Sequence, residues 1–207
     1  AKAKEARRAR KEDDGVLYAP TRTEIELDSP MPEQVQKALR NNELRRALLG
    51  LAESSNDKFI KRAARKLADY TGDTRVQVVP QTKLGMRDGV NVEGLFVSKD
   101  NTILLSEDYQ DAYMLLHEMT HAATINTLQN GAHPTTKRLK KLYEDTKDSL
   151  SSYYGSKNVV EFVAEAFSNP RFQHELGRIN PEGKELSAWQ RFIKTIMDFI
   201  GLGGLGP

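Results

Sequence analysis

The stretch Met114-Leu115-Leu116-His117-Glu118-Met119-Thr120-His121-Ala122-Ala123 sets two histidines four residues apart in apolar company. In a helix, positions i and i+4 lie on one face, about one turn apart. Two imidazoles placed this way can hold one Zn2+ at roughly 2.0–2.1 Å each. Glu118 is rotated from the pair but stays within reach of a metal-bound water. A carboxylate there takes the proton of that water as it attacks a carbonyl. The flanking apolar residues put this helix half-buried on a domain. An ordinary helix carrying two surface histidines is the plain alternative.

Composition narrows the options around this pair. The chain has 207 residues and no cysteine, which excludes disulfides, a thiol nucleophile and any thiolate metal site. A metal must therefore sit on histidine and carboxylate. Only His117, His121, His133 and His174 are available. The net charge of +2 favours no partner by itself. It is unevenly spread, because residues 1–12 hold six basic groups and two acids. No apolar run approaches the roughly 20 residues that span a bilayer, and no secretory signal is visible. The chain begins at Ala1, so it reads as a processed product or an excerpt of a longer one. A cytoplasmic location is expected on these grounds, with no membrane partner.

Working outward, Pro32 is a good first-turn residue, and Val35, Leu39, Leu44, Leu48 and Leu49 form a rough helical stripe. Phe59, Ile60, Ala63, Ala64 and Leu67 give a second helix within 54–70, stopped by Gly72. The pattern then turns strand-like at 75–79, 92–97 and 102–105, the last two joined by a turn at 98–101. Ser106 or Asp108 can cap the helix that runs to about Leu128. Further helices are expected at 135–152, 158–168, 170–178 and 186–200. Helices, a small sheet, then helices make an α+β protein.

Zinc needs a third protein ligand. His133 precedes Pro134 on a loop only twelve residues on, and the spacing of a third histidine with its glycine is missing. Glu161 and Glu165 are the better candidates. They lie i, i+4 among Phe162, Val163, Ala164 and Phe167, where two carboxylates are costly to bury without a cation or donors. One can ligate the metal while the other orients a ligand histidine. Two solvated glutamates on an amphipathic helix would be the alternative.

These two segments resemble the catalytic domain of anthrax lethal factor and its relatives, zincins with a two-His-plus-Glu zinc site. That family's glutamate opens a Glu-Phe-aromatic-Ala-Glu-Ala-Phe run, matched by Glu161 to Phe167 except that Val163 replaces the aromatic. Its Tyr-Gly seven residues earlier is matched by Tyr154-Gly155, and its Asn three residues earlier by Asn158. The resemblance covers about residues 75–200, with strong motifs at 113–124 and 153–168. It implies His117, His121 and Glu161 as zinc ligands and Glu118 as general base. Tyr154 would stabilise the oxyanion, and Glu165 would hydrogen-bond a ligand histidine. The helix around Trp189 also has a counterpart in the family. Phrases around Ser168 and Trp189 are also similar, more vaguely, to metallopeptidase-like modules of large polyvalent phage proteins.

The resemblance implies a zincin-like fold with a small, mostly antiparallel sheet, an active-site helix, a helical C-terminal part and added N-terminal helices. The chain then divides into a basic arm at 1–15, a helical region at 16–72, the metallopeptidase domain at 73–201 and a flexible tail at 202–207. The implied activity is zinc-dependent endopeptidase on a polypeptide substrate. The other reading is a zincin-fold interaction module, virion-associated or part of a larger phage or polyprotein assembly. In zincins an edge strand pairs with the extended substrate. Gly94, Leu95 and Phe96, or else Ile103 to Leu105, would supply it, with Gly94 admitting a close backbone. A packed hairpin fits the same residues. His133 and His174 read as surface residues, and the Trp189 helix as packed on the domain. The basic arm reads as a solvated tail. Nucleic-acid contact is its functional alternative, weakened because no aromatic residue precedes Tyr18.

Overall fold

Pro32 opens the first helix, α1 (Glu33–Arg40), and buries Val35, Ala38 and Leu39 on one side. The computed structural model describes residues 16–18, 31–87, 89–108, 111–129, 131–180 and 185–199, the side chains of 16–18 and 197–199 excepted. The basic arm and the C-terminal tail lie outside the described residues. The described residues fall into two compact units, those up to Ala122 and those from Ala123 on.

In the first unit, the stripe from Val35 to Leu49 is not one helix. It breaks at Asn41-Asn42-Glu43, and α2 (Leu44–Ser54) starts afresh. Asn42 takes the left-handed conformation at φ 58°, a position Asn tolerates better than most residues. Its side chain accepts the Val76 amide at 2.8 Å. Asp57 caps α3 (Lys58–Leu67) by accepting the amides of Phe59 and Ile60. A 3-10 turn at Ala68–Tyr70 ends the helical run, and Gly72 at φ +49° reverses the chain. Helices α1 to α3 meet through alanines and leucines, including Ala38, Ala47, Ala52, Ala64 and Leu48.

The strands are β1 (Val16–Tyr18), β2 (Arg75–Val79), β5 (Gly94–Val97) and β6 (Thr102–Ser106) in one sheet. A short helix α4 (Gln81–Leu84) and a ribbon of β3 (Met86–Arg87) and β4 (Val90–Asn91) lie between β2 and β5 in sequence. The sheet order is β1-β5-β6-β2. The β1–β5 and β5–β6 pairs are antiparallel and the β2–β6 pair is parallel. The class is α+β with a small mixed sheet. One sheet face carries Leu95, Leu104 and Val97 into a cluster with Val79, Leu84 and Val92. The other holds Phe96 and Ile103, which are register partners.

Helix α5 (Ala112–Gln129) packs on that second face. A Cβ on Gly94 would lie 2.8 Å from the Met114 side chain and 3.3 Å from Leu105. Gly94 is thus small because a helix side chain fills its space. The helix is capped by neither Ser106 nor Asp108. Asp111 does this, accepting the Met114 amide at 2.7 Å.

The second unit continues α5 and adds α6 (Pro134–Thr146), α7 (Val159–Ser168), α8 (Pro170–Arg178) and α9 (Ala188–Phe199). Its core is aromatic. Phe162 meets Phe172 edge-on at 5.6 Å and Phe192 at 6.2 Å, and Phe167 meets Phe192 at 5.7 Å. Trp189 stacks on Phe192 at 5.6 Å. Such tilted pairs add to simple area burial. They fix α9 against α7, as expected for a helix packed on protein. No helix among the described residues is long and apolar enough to cross a membrane.

Candidate metal centre

Helix α5 carries the two histidines in a setting deeper than a half-buried helix. Every residue from Tyr113 to His121 is buried, and His117, Glu118 and His121 are 0% exposed. Beyond Ala122 the same helix opens towards water, with Ile125 and Leu128 still buried and Asn126 exposed. A helix apolar all round belongs in an interior, so its polar members must be matched from within the protein. The histidine rings meet edge-on at 4.7 Å between centroids. The alternative of two surface histidines is therefore overturned.

Helix α7 supplies the carboxylates, and its position follows from three local features. Asn158 caps it, accepting the amides of Val160 and Glu161 at 2.9 and 3.0 Å. The cap sets Glu161 in the first turn. Gly155, in the 3-10 turn Tyr154–Ser156, is a glycine of necessity. A Cβ there would lie 2.7 Å from the Phe172 ring and 3.0 Å from Glu165 Cβ. The Tyr143 hydroxyl donates to the Ser156 carbonyl at 2.9 Å, tying the turn to α6. Burial pushes the Tyr143 phenol above its ordinary pKa, partly offset by Lys147, so it remains a donor. All eight residues from Glu161 to Ser168 are buried. Two solvated glutamates are thereby ruled out.

Potential ligand atoms of His117, His121 and Glu161 all lie within 4.8 Å of one another, and the three buried side chains can hold a metal ion. Two imidazoles and one carboxylate are a donor set suited to zinc, with room left for further ligands. Glu165 is also fully buried and accepts the Asn169 side-chain amide at 2.8 Å. Asn169 does two things at once, since its oxygen accepts the amides of Arg171 and Phe172 and caps α8. Sequence reasoning missed this partner, although Asn169-Pro170 is a recognisable helix start. It also missed Tyr113, whose buried ring sits 5.5 Å from that of His117. Its signal was the i, i+4 spacing that continues the histidine face.

The remaining predicted residues are distributed as follows. Tyr154 is half-buried, and the Lys157 ammonium lies 3.7 Å from its ring centroid, a cation–π contact. His133 is exposed and caps α6, accepting the Thr135 amide at 3.3 Å. His174 is 72% exposed beside Glu175. Gly94, Leu95 and Phe96 do not form a free edge. The strand β5 has β1 on one side and β6 on the other, and all three residues are buried. Ile103 to Leu105 are no free edge either, because β6 lies between β5 and β2. The physical reason is long-range pairing, since Val16 to Tyr18 occupies the side of β5 that the hairpin alone would leave open.

Comparison with protein-family models, with curated proteins and with solved structures gives no match to this chain.

Proposed function

We propose that the protein is a zinc-dependent endopeptidase of zincin type, with His117, His121 and Glu161 as the metal ligands. The observation that carries this reading is the buried group of two imidazoles and one carboxylate within 4.8 Å, with a further buried carboxylate, Glu118, adjacent in the helix. Zinc, when bound, supplies Lewis acidity to a water and to the scissile carbonyl. The chain's own groups do the rest. Glu118 accepts the proton of the attacking water at its carboxylate and returns it to the leaving amine. Tyr154 donates its phenolic hydrogen to the oxygen that gains negative charge. Glu165, held by Asn169, orients a ligand histidine. Burial of the α5 residues around the site keeps bulk water from competing with these contacts.

Glu118→Gln preserves shape while removing the base. Cleavage of an unstructured peptide library should fall by roughly 100-fold or more, with one metal per chain retained by elemental analysis. A variant that cleaves at the wild-type rate sinks the proposal. Bound zinc in a wild-type protein that cleaves no peptide would instead favour an interaction module with the same fold.

A further inference from the structure

Among the described residues, the edge of β5 away from β6 is paired by one short strand, Val16–Tyr18 of β1. The ladder determines which backbone groups meet there. The Ser106 amide donates to the Glu93 carbonyl at 2.8 Å, so Glu93, Leu95 and Val97 turn their backbone polar groups to β6. An antiparallel ladder alternates, so Gly94 and Phe96 turn theirs to the β1 side. Phe96 faces Leu17 in the register, and these two form the hydrogen-bonded pair. That hold is modest, because water replaces backbone hydrogen bonds at little net cost. The opposite edge strand, β2, is held over five residues, and Asn42 takes its Val76 amide.

The register also gives β1 a direction. Val16 faces Val97 and Tyr18 faces Leu95, so β1 runs towards the Gly94 end of β5. At that end a Cβ on Gly94 would lie 2.8 Å from the Met114 side chain. Met114 stands three residues before His117 in α5, about one turn away on the same side of the helix. The edge that β1 covers thus ends close to a candidate metal ligand. These strands and this part of α5 all belong to the first unit.

We propose that β1 is an autoinhibitory strap, which must leave β5 before a polypeptide substrate can pair with that edge. This rests on the peptidase reading above, because that reading makes a polypeptide the substrate. A chain that adds to a sheet edge gains affinity from main-chain hydrogen bonds, and β1 shows that this edge accepts an antiparallel strand.

Two variants of the full chain fix the strap in opposite states. The chain has no cysteine, so Val16→Cys with Val97→Cys creates a single possible disulfide. These positions form a non-hydrogen-bonded pair, whose Cα atoms lie about 4.5 Å apart in such ladders, within disulfide reach. Leu17→Pro instead removes the amide that serves Phe96. The probe is a fluorescent peptide copying residues 13–21, followed by anisotropy, with wild type given the same reductant as a control. The oxidised double variant should bind it at least tenfold more weakly than its own reduced form, and Leu17→Pro should bind it most tightly. Hydrolysis of the peptide library should follow the same order. Equal binding by the oxidised and reduced forms, or none by either, overturns the inference. So does an oxidised form that cleaves as fast as the reduced one. Should Leu17→Pro fail to fold, the oxidised and reduced pair decides alone. Strap-dependent binding with no hydrolysis in any form would uphold the strap and remove the peptidase reading.

Discussion

Helices α3 and α7 have the same length, ten residues each, and both begin with an acceptor side chain that takes two backbone amides. They differ in where their ionisable groups lie. Helix α3 buries Ala63, Ala64 and Leu67 and turns Lys58, Arg62 and Arg65 to water. Water solvates those charges, so they require no partner. Helix α7 buries Glu161 and Glu165 together with every other residue from Phe162 to Ser168. Carboxylates so placed need donors or a cation at close range. Asn169 supplies one for Glu165, while Glu161 joins the two imidazoles. The contrast teaches that an i, i+4 polar pair carries functional information when burial, not spacing alone, sets it apart.

The largest expected effect breaks this contrast at Glu161. Wild type with saturating zinc should gain stability of about 4 kcal/mol at a thousandfold excess over Kd. Glu161→Ala should lose most of that gain and the bound metal, read by thermal melts with and without zinc and by elemental analysis. His121→Ala should behave alike. Lys61→Ala on α3 should stay within about 0.5 kcal/mol of wild type, metal present or absent. If Glu161→Ala keeps one tightly bound zinc, the buried glutamate is no ligand, and the contrast with α3 loses its functional meaning.

Local chemistry made much of this fold legible in the sequence. Helix α8 runs over Pro170–Arg178, the expected span, because Asn169-Pro170 supplies both a cap and a preset first turn. The strands expected at 75–79 and 102–105 announced themselves through β-branched and aliphatic runs, and the second extends one residue further, to Ser106. The misreadings share a physical cause. Periodicity tells which face of a segment is apolar, but not whether the opposite face is covered as well. The depth of α5 was underestimated for that reason. The pairing of β1 with β5 joins residues nearly eighty positions apart, and no local pattern encodes it. The break at Asn42 depends on a hydrogen bond to Val76, 34 residues on. In the candidate site, His117, His121 and Glu161 could be picked out because metal chemistry restricts ligand types and spacing. Asn169 and Tyr113 escaped because their roles are to hold or flank other side chains.

A second, smaller effect sharpens the comparison by asking how closely α7 is fitted. Gly155→Ala would press a Cβ against the Phe172 ring and Glu165 Cβ. Overpacking of this kind costs about 1–3 kcal/mol. Denaturant unfolding should report the loss. If the variant is as stable as wild type, the ring yields freely, and close packing is not what keeps a glycine after Tyr154.

The smallest effect separates capping from site building. Asp57→Ala and Asn158→Ala each remove an acceptor for two amides, and each should cost about 1 kcal/mol of stability. The stability losses should therefore match within error. Their effect on metal should not. Asn158 holds the turn that carries Glu161, so its loss should let the Glu161 backbone fray and weaken zinc binding by several-fold. Asp57 holds a turn of α3 that carries none of the three candidate ligands, so zinc affinity should be unchanged. Competition against a chromophoric chelator measures both. Equal affinity in the two variants would mean that tertiary packing around Phe162 alone fixes Glu161. Asn158 would then be only a helix cap, interchangeable in purpose with Asp57.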